Sequence, residues 1–298
     1  MAKPSTYTGR KDYDSGGHSY YLDGEKVPGV TTIIRGGVPA PALIWWSAEM
    51  SAVAAIDDDA WLMMERDEAI DYLRREHVRV GDRASARGTN MHLHAEHFAS
   101  TGEIAPEVTA DSRLYVENLG KFFAEWKPRV RLSEIAVFNR TDRWAGTMDT
   151  ILEFPLFPDL GTCAVDWKSK QPREARRMKP TREEKVGPYA EVALQLAAYT
   201  HGEFYLSLTG DPLPLPKVDH CLAVVVTETG YTVHEVDGGD DTYQTFLAAK
   251  AVYEYGLRAE RKNDTPIGPP IDMPTPRLVL VDDGDPFAGL TDAQEAVR

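Results

Sequence analysis

The pattern of apolar and polar positions divides the chain into short strands set between helices. Residues 147–154 alternate and are rich in Met, Ile, Leu and Phe. Pro155, Pro158, Asp159 and Gly161 supply a turn, and residues 162–167 return as a second apolar run. Residues 129–139 read as the strand before this hairpin, with Glu134 at its start. Upstream, residues 1–18 are polar and Gly-rich and read as a loose arm. Residues 19–27, with Asp23-Gly24 at their centre, read as a hairpin, and 29–34 as further strand or the start of a helix. The spacing of Leu43, Trp46, Met50 and Val53 predicts a helix over 42–56, with Trp45 and Trp46 packed in the core rather than stacked on bases.

Helices are also expected over 66–77 and 82–99, and a fourth is capped by Asp111 and ended by Pro128. Gly187-Pro188 opens a long helix to about Leu208. Strands over 219–227 and 231–236 flank Glu228-Thr229-Gly230, and a last helix covers 242–261. From Lys262 the chain is Pro-rich and acidic and reads as a tail or peripheral wrap. The organisation expected is an N-terminal extension (1–81, hairpin plus helices) packing on a core (82–261), followed by the tail (262–298). No internal repeat is evident.

Composition narrows the classes. A chain of 298 residues has ample material for a core. It contains no apolar run of about 18 residues and no signal-peptide pattern, so the expectation is a cytoplasmic protein without a membrane partner. Cys163 and Cys221 lie in predicted strands and read as small core residues, too few for an iron–sulfur cluster. The net charge of −14 argues against non-specific coating of nucleic acid. The charge is uneven, however: residues 168–185 hold eight basic residues against three acids. This run reads either as a solvated loop or as a phosphate clamp built on Arg173, Arg176, Arg177 and Lys179.

The central hairpin carries two acids out of keeping with their neighbours, Asp149 and Asp166. Lys168 follows Asp166 by two, so both side chains share a strand face. Asp166 follows the apolar run Thr-Cys-Ala-Val, and a buried acid needs a partner or a metal. Two carboxylates and an ammonium at one point suit hard-cation phosphodiester chemistry. On the helix over 82–99, His92 and Glu96 share one face and His94 and His97 another, which disfavours a single three-histidine zinc site. Gly88 suggests close backbone approach one turn before His92. On the later helix, Glu191, Gln195 and Tyr199 form one polar stripe.

In order, Gly88-Thr89-x-x-His92, Gly146-Thr147-x-Asp149, Asp166-Trp167-Lys168 and Gln195-Leu196-Ala197-Ala198-Tyr199 resemble the motifs of the PD-(D/E)XK nuclease superfamily. The branch is the RecB-type exonucleases, in a cluster-free, phage-like form, and the likeness covers about residues 82–236. It implies an α/β (α+β) fold with a restriction-endonuclease-like core, a central mixed β-sheet flanked by helices. It implies that His92, Asp149, Asp166 and the backbone carbonyl of Trp167 bind Mg²⁺ or Mn²⁺. Lys168 would position or activate the attacking water, while Gln195 and Tyr199 contact substrate or steady Lys168. Glu96 and Glu134 would be outer contacts at most. The partners implied are DNA ends or single strands and a separate helicase or recombination protein, in the bacterial host cytoplasm if the chain is phage-encoded. A structure-selective endonuclease and a catalytically silent DNA-end-binding scaffold remain as alternatives.

Overall fold

The computed structural model describes residues 7–14, 17–106, 108–170 and 187–260. The basic cluster Arg173, Arg176, Arg177 and Lys179 and the expected tail lie outside the described residues. Among the described residues ten strands form two sheets: β1 (Gly9–Tyr13), β2 (Gly17–Leu22), β3 (Glu25–Val27), β4 (Arg129–Asn139), β5 (Trp144–Glu153), β6 (Thr162–Ser169), β7 (Phe204–Leu206), β8 (Pro212–Pro214), β9 (His220–Val226) and β10 (Tyr231–Glu235). The helices are α1 (Val30–Gly37), α2 (Pro41–Asp57), α3 (Arg66–Arg74), α4 (Glu76–Thr101), α5 (Arg113–Trp126), α6 (Glu191–Thr200) and α7 (Asp240–Glu260).

The larger sheet is mixed, in the order β10-β9-β6-β5-β4-β7-β8, and β6 pairs parallel with β9 at its centre. Both central strands are apolar runs because both faces of the sheet are covered. Cys163, Val165 and Trp167 of β6 face a cluster with Met91 and Ala95 of α4 and Leu119, Phe122 and Phe123 of α5. Ala164 faces the other layer, with Val30 and Ile33 of α1, Leu196 and Tyr199 of α6 and Phe246 of α7. This is the α+β core with a mixed, helix-flanked sheet that the sequence predicts. Cys163 and Cys221 are buried and free, as expected of small core residues.

The smaller sheet has the order β1-β2-β3. Its apolar side chains Tyr20, Leu22 and Val27 pack with Phe138, Ala145 and Phe204. A parallel bridge between Gly29 and Ala145, and the Ala145 amide donating to Pro28 at 3.1 Å, stitch this extension onto β5. Residues Met1–Gly256 form one compact unit; of the second, Leu257–Arg298, only 257–260 are described.

Several elements differ from the sequence reading. β1 lies inside the stretch read as a loose arm, because Arg10, Lys11 and Tyr13 pair along β2 despite their polarity. Residues 30–37 are helical, the second of the two alternatives the sequence left open. The helix after Pro188 begins at Glu191 and ends at Thr200 rather than near Leu208. There Gly202 passes so close to Val137 that a Cβ would lie 2.1 Å from its Cγ1, and Phe204 turns into strand against β4. Asp111 is not a cap but part of a short 3-10 turn (Ala110–Ser112) leading into α5. α4 starts earlier than expected, so positions 81 and 82 fall within one continuous helix. Trp45 is 78% exposed rather than core, and Leu43, Ile44 and Ile56 are also exposed. α2 lies beside α3 and α4, outside both layers of the sheet, and Ala54 is its one buried residue.

Candidate metal and phosphodiester site

The site forms where β5 and β6 part. Their ladder runs from Glu153↔Thr162 to Thr150↔Val165 and stops there. One residue further, the Asp149 carboxylate accepts the Trp167 amide at 2.9 Å, so a side chain replaces the backbone partner. On the other side of β5, Glu134 of β4 stands between the pairs Ser133↔Thr150 and Ile135↔Met148, opposite Asp149, with φ +50°. A glutamate in the left-handed region in mid-strand is strained, and such departures re-aim side chains near functional sites.

His92 reaches in from α4. A carbonyl can only accept, so its Nε2 donates to the Trp167 oxygen at 3.1 Å. Its Nδ1 then faces Asp149 Oδ1 at 3.6 Å and Glu134 Oε1 at 3.8 Å. Ligand atoms of His92, Glu134 and Asp149 all lie within 4.8 Å of one another. The side chains of His92 and Glu134 are each 30% exposed and that of Asp149 only 10%, so the group opens to solvent on one side.

Asp166, on β6, is buried and turned towards Lys168. The ammonium donates to Oδ1 at 2.8 Å and lies 2.7 Å from Oδ2, which receives no hydrogen bond of its own. Lys168 also approaches Gln195 Oε1 of α6 at 3.5 Å, the outer limit of a hydrogen bond. The Gln195 amide donates to the Tyr199 hydroxyl at 3.3 Å. Tyr199 is buried, its ring against Gly146, where a Cβ would lie 2.7 Å from Cε1. The ring is therefore not offered to a base.

The charges strain against burial. Desolvation pulls the His92 pKa down, but Asp149 and Glu134 outweigh it and raise it to about 8. Burial pushes Asp149 up, against His92, Lys168 and the Trp167 amide, and pushes Asp166 up to about 6, against Lys168. Desolvation of Lys168 is outweighed by Asp166 and Asp149, which hold the ammonium charged. Three carboxylates thus face one ammonium and one imidazole. Oxygen and imidazole donors with surplus negative charge suit a hard or borderline divalent ion, so the residues fit Mg²⁺ or Mn²⁺.

The structure thus brings together His92, Asp149, Asp166, Lys168, the Trp167 carbonyl and, through Lys168, Gln195 and Tyr199. It adds Glu134, which the sequence suggested only as an outer contact and placed at the start of its strand rather than in the middle. Glu96 is exposed and outside the group. His94 is buried with an unpartnered Nδ1, and among the described residues the three helical histidines do not share a site. Gly88 makes only ordinary contact: a Cβ there would lie 3.6 Å from Ser169 Oγ.

No family model and no curated protein matches this chain. Among solved structures it is similar to one described as the crystal structure of SSO0001. The identity is 11%, over 59% of this chain and 75% of that one, with a TM-score of 0.29, a likeness too slight to carry an argument.

The link from Lys168 to α6 is testable. Gln195→Ala is expected to melt like the parent, since it removes one amide at the margin of the site, within about 0.5 kcal/mol. If the site cleaves DNA, single-turnover cleavage of a labelled strand should fall at least about tenfold, because a mispositioned group in such a site can cost about 10²-fold. Tyr199→Phe, which only unhooks the amide, should lose less. Normal cleavage by Gln195→Ala would leave α6 a packing element.

Proposed function

We propose that this chain is a Mg²⁺- or Mn²⁺-dependent deoxyribonuclease, an exonuclease acting on DNA ends. The observation that carries the reading is the convergence of His92, Glu134 and Asp149 beside the Asp166–Lys168 pair at the parting of β5 and β6. A bound divalent ion supplies Lewis-acid stabilisation of the phosphodiester and lowers the pKa of water. His92 through Nδ1, Glu134 and Asp149 would hold it, with Asp166 adjoining; the Trp167 carbonyl, expected as a ligand, instead accepts His92 Nε2–H and orients the ring. Asp166 keeps the Lys168 ammonium charged and aimed. Lys168 offsets charge on the phosphate and orients the water for in-line attack, and Gln195 limits its swing.

Exonuclease rather than endonuclease rests on the RecB-type motifs noted in the sequence. Under this reading the protein works in the cytoplasm, and a helicase or recombination protein, if it uses one, is a separate chain. Among the described residues no helix is long and apolar enough to cross a membrane. Linear and covalently closed circular DNA, each with Mn²⁺, Mg²⁺ or excess EDTA, test the proposal. Metal-dependent loss of linear DNA alone is expected. Nicking of circles would favour an endonuclease, binding without cleavage a silent scaffold, and undiminished cleavage in EDTA would end the metal mechanism.

A further inference from the structure

The small N-terminal sheet has no assigned role, yet it reaches the strand that carries Asp149. Arg10 of β1 donates from Nη1 to Thr147 Oγ1 at 3.1 Å, and the Tyr20 hydroxyl of β2 meets the same oxygen at 2.8 Å. Arg10 and Tyr20 are direct cross-strand partners, so both lie on the face turned towards β5. Thr147 and Asp149 are two residues apart on β5 and so share the face that Arg10 and Tyr20 reach, about 7 Å from one to the next along the strand. The inner part of the small sheet is fixed by buried Tyr20, Leu22 and Val27. Its outer part carries Arg10 and His18, both exposed.

Arg10 is held but not consumed. Asp12 takes Nε and Nη2, each at 2.7 Å, which orients the guanidinium, and Thr147 takes one N–H of Nη1. Among the described residues nothing takes the second N–H of either terminal nitrogen, and the side chain is 36% exposed. A polyanion entering the site meets three carboxylates, while Lys168 is engaged by Asp166. A second cation at the rim on the β5 side answers that repulsion, and a guanidinium fork is suited to phosphate oxygens.

Building on the nuclease reading, we infer that the N-terminal sheet forms one wall of the substrate path and that Arg10 holds a phosphate of the bound DNA strand next to the scissile one. The alternative is that Arg10 is only a staple between β1 and β5, and the two differ in salt dependence. Binding of a labelled single-stranded oligonucleotide is measured in EDTA across a salt series for the parent, Arg10→Ala and Arg10→Lys, with melting curves. Arg10→Ala is expected to bind about five- to tenfold more weakly, with the slope of log affinity against log salt shallower by about 0.7, one single-strand phosphate contact. Arg10→Lys should restore the slope. With Mn²⁺, Arg10→Ala should raise KM by the same factor and leave kcat within about twofold. A parent-like slope in Arg10→Ala, or a lower kcat at unchanged KM, overturns the inference while leaving the nuclease reading in place. A parent that neither binds nor cleaves DNA removes both.

Discussion

Asp166→Asn and Lys168→Ala are each expected to reduce single-turnover DNA cleavage by at least about 10²–10³-fold, the usual cost of removing one preorganised electrostatic group. The two residues act as one unit. The Asp166 carboxylate holds the ammonium through contacts of 2.7 and 2.8 Å, and on the proposed reading Lys168 is the cation beside the His92, Glu134 and Asp149 group. The double variant should therefore be little worse than either single one, as groups working as a unit are strongly non-additive. DNA affinity in EDTA should stay within about threefold, since backbone contacts elsewhere supply most of it.

Stability should move the other way for Asp166→Asn. Its pKa, about 6, lies above the ordinary 3.8 because burial disfavours the charge. A raised folded-state value means that the group's contribution to stability is present below the ordinary pKa and lost as pH rises through about 6. At pH 8 in chelator the buried charge is a net cost. Asp166→Asn should then melt at or above the parent, because Lys168, 28% exposed, can turn to solvent or to Asp149. Parent-like cleavage by either variant would remove the β5–β6 hairpin from the active site.

Saturating Mn²⁺ is expected to raise the melting temperature by about 5–10 °C. An ion at a hundred times its dissociation constant stabilises by about 2.7 kcal/mol, and domains of this size gain about 2–4 °C per kcal/mol. The shift reports the ion directly, without reference to turnover. Glu134→Gln keeps the side-chain shape but removes one of the two carboxylates within 4.8 Å of the His92 nitrogens. If binding weakens 10–100-fold, the shift at the same Mn²⁺ concentration should fall by about half or more. Glu96→Gln, exposed on the same helix as His92, should shift like the parent. An unchanged shift in Glu134→Gln would place the ion away from this group.

Much of the core was legible because its signals are local. The hairpin of β5 and β6, the Asp166–Lys168 face and the four-residue step from Gln195 to Tyr199 follow from strand and helix periods. Glu134 was not legible, because its role depends on a left-handed kink in mid-strand, and a lone glutamate on a strand carries no mark of that. Arg10 was hidden by the polarity of its surroundings, which reads as loop until β2 is there to pair with it. The end of α6 is decided by the approach of Gly202 to Val137, a tertiary contact. The Trp45 error has the opposite cause: helical spacing shows that a helix has a face, but not whether another element lies against it.

The central position of β6 has a consequence for how the site breathes. β9 pairs with it over seven consecutive registers from Cys163↔His220 to Ser169↔Val226, and β5 covers its other edge as far as Val165, beyond which the Asp149 carboxylate takes the Trp167 amide. Among the described residues β1 has one neighbour and lies at the margin of a three-stranded sheet. Amide hydrogen exchange should therefore run slowest around Val165–Trp167, opening only with the whole domain, and far faster at Arg10 and Lys11. The group that would carry out hydrolysis sits on the last part of the fold to open, while the wall that would meet DNA first sits on one of the earliest.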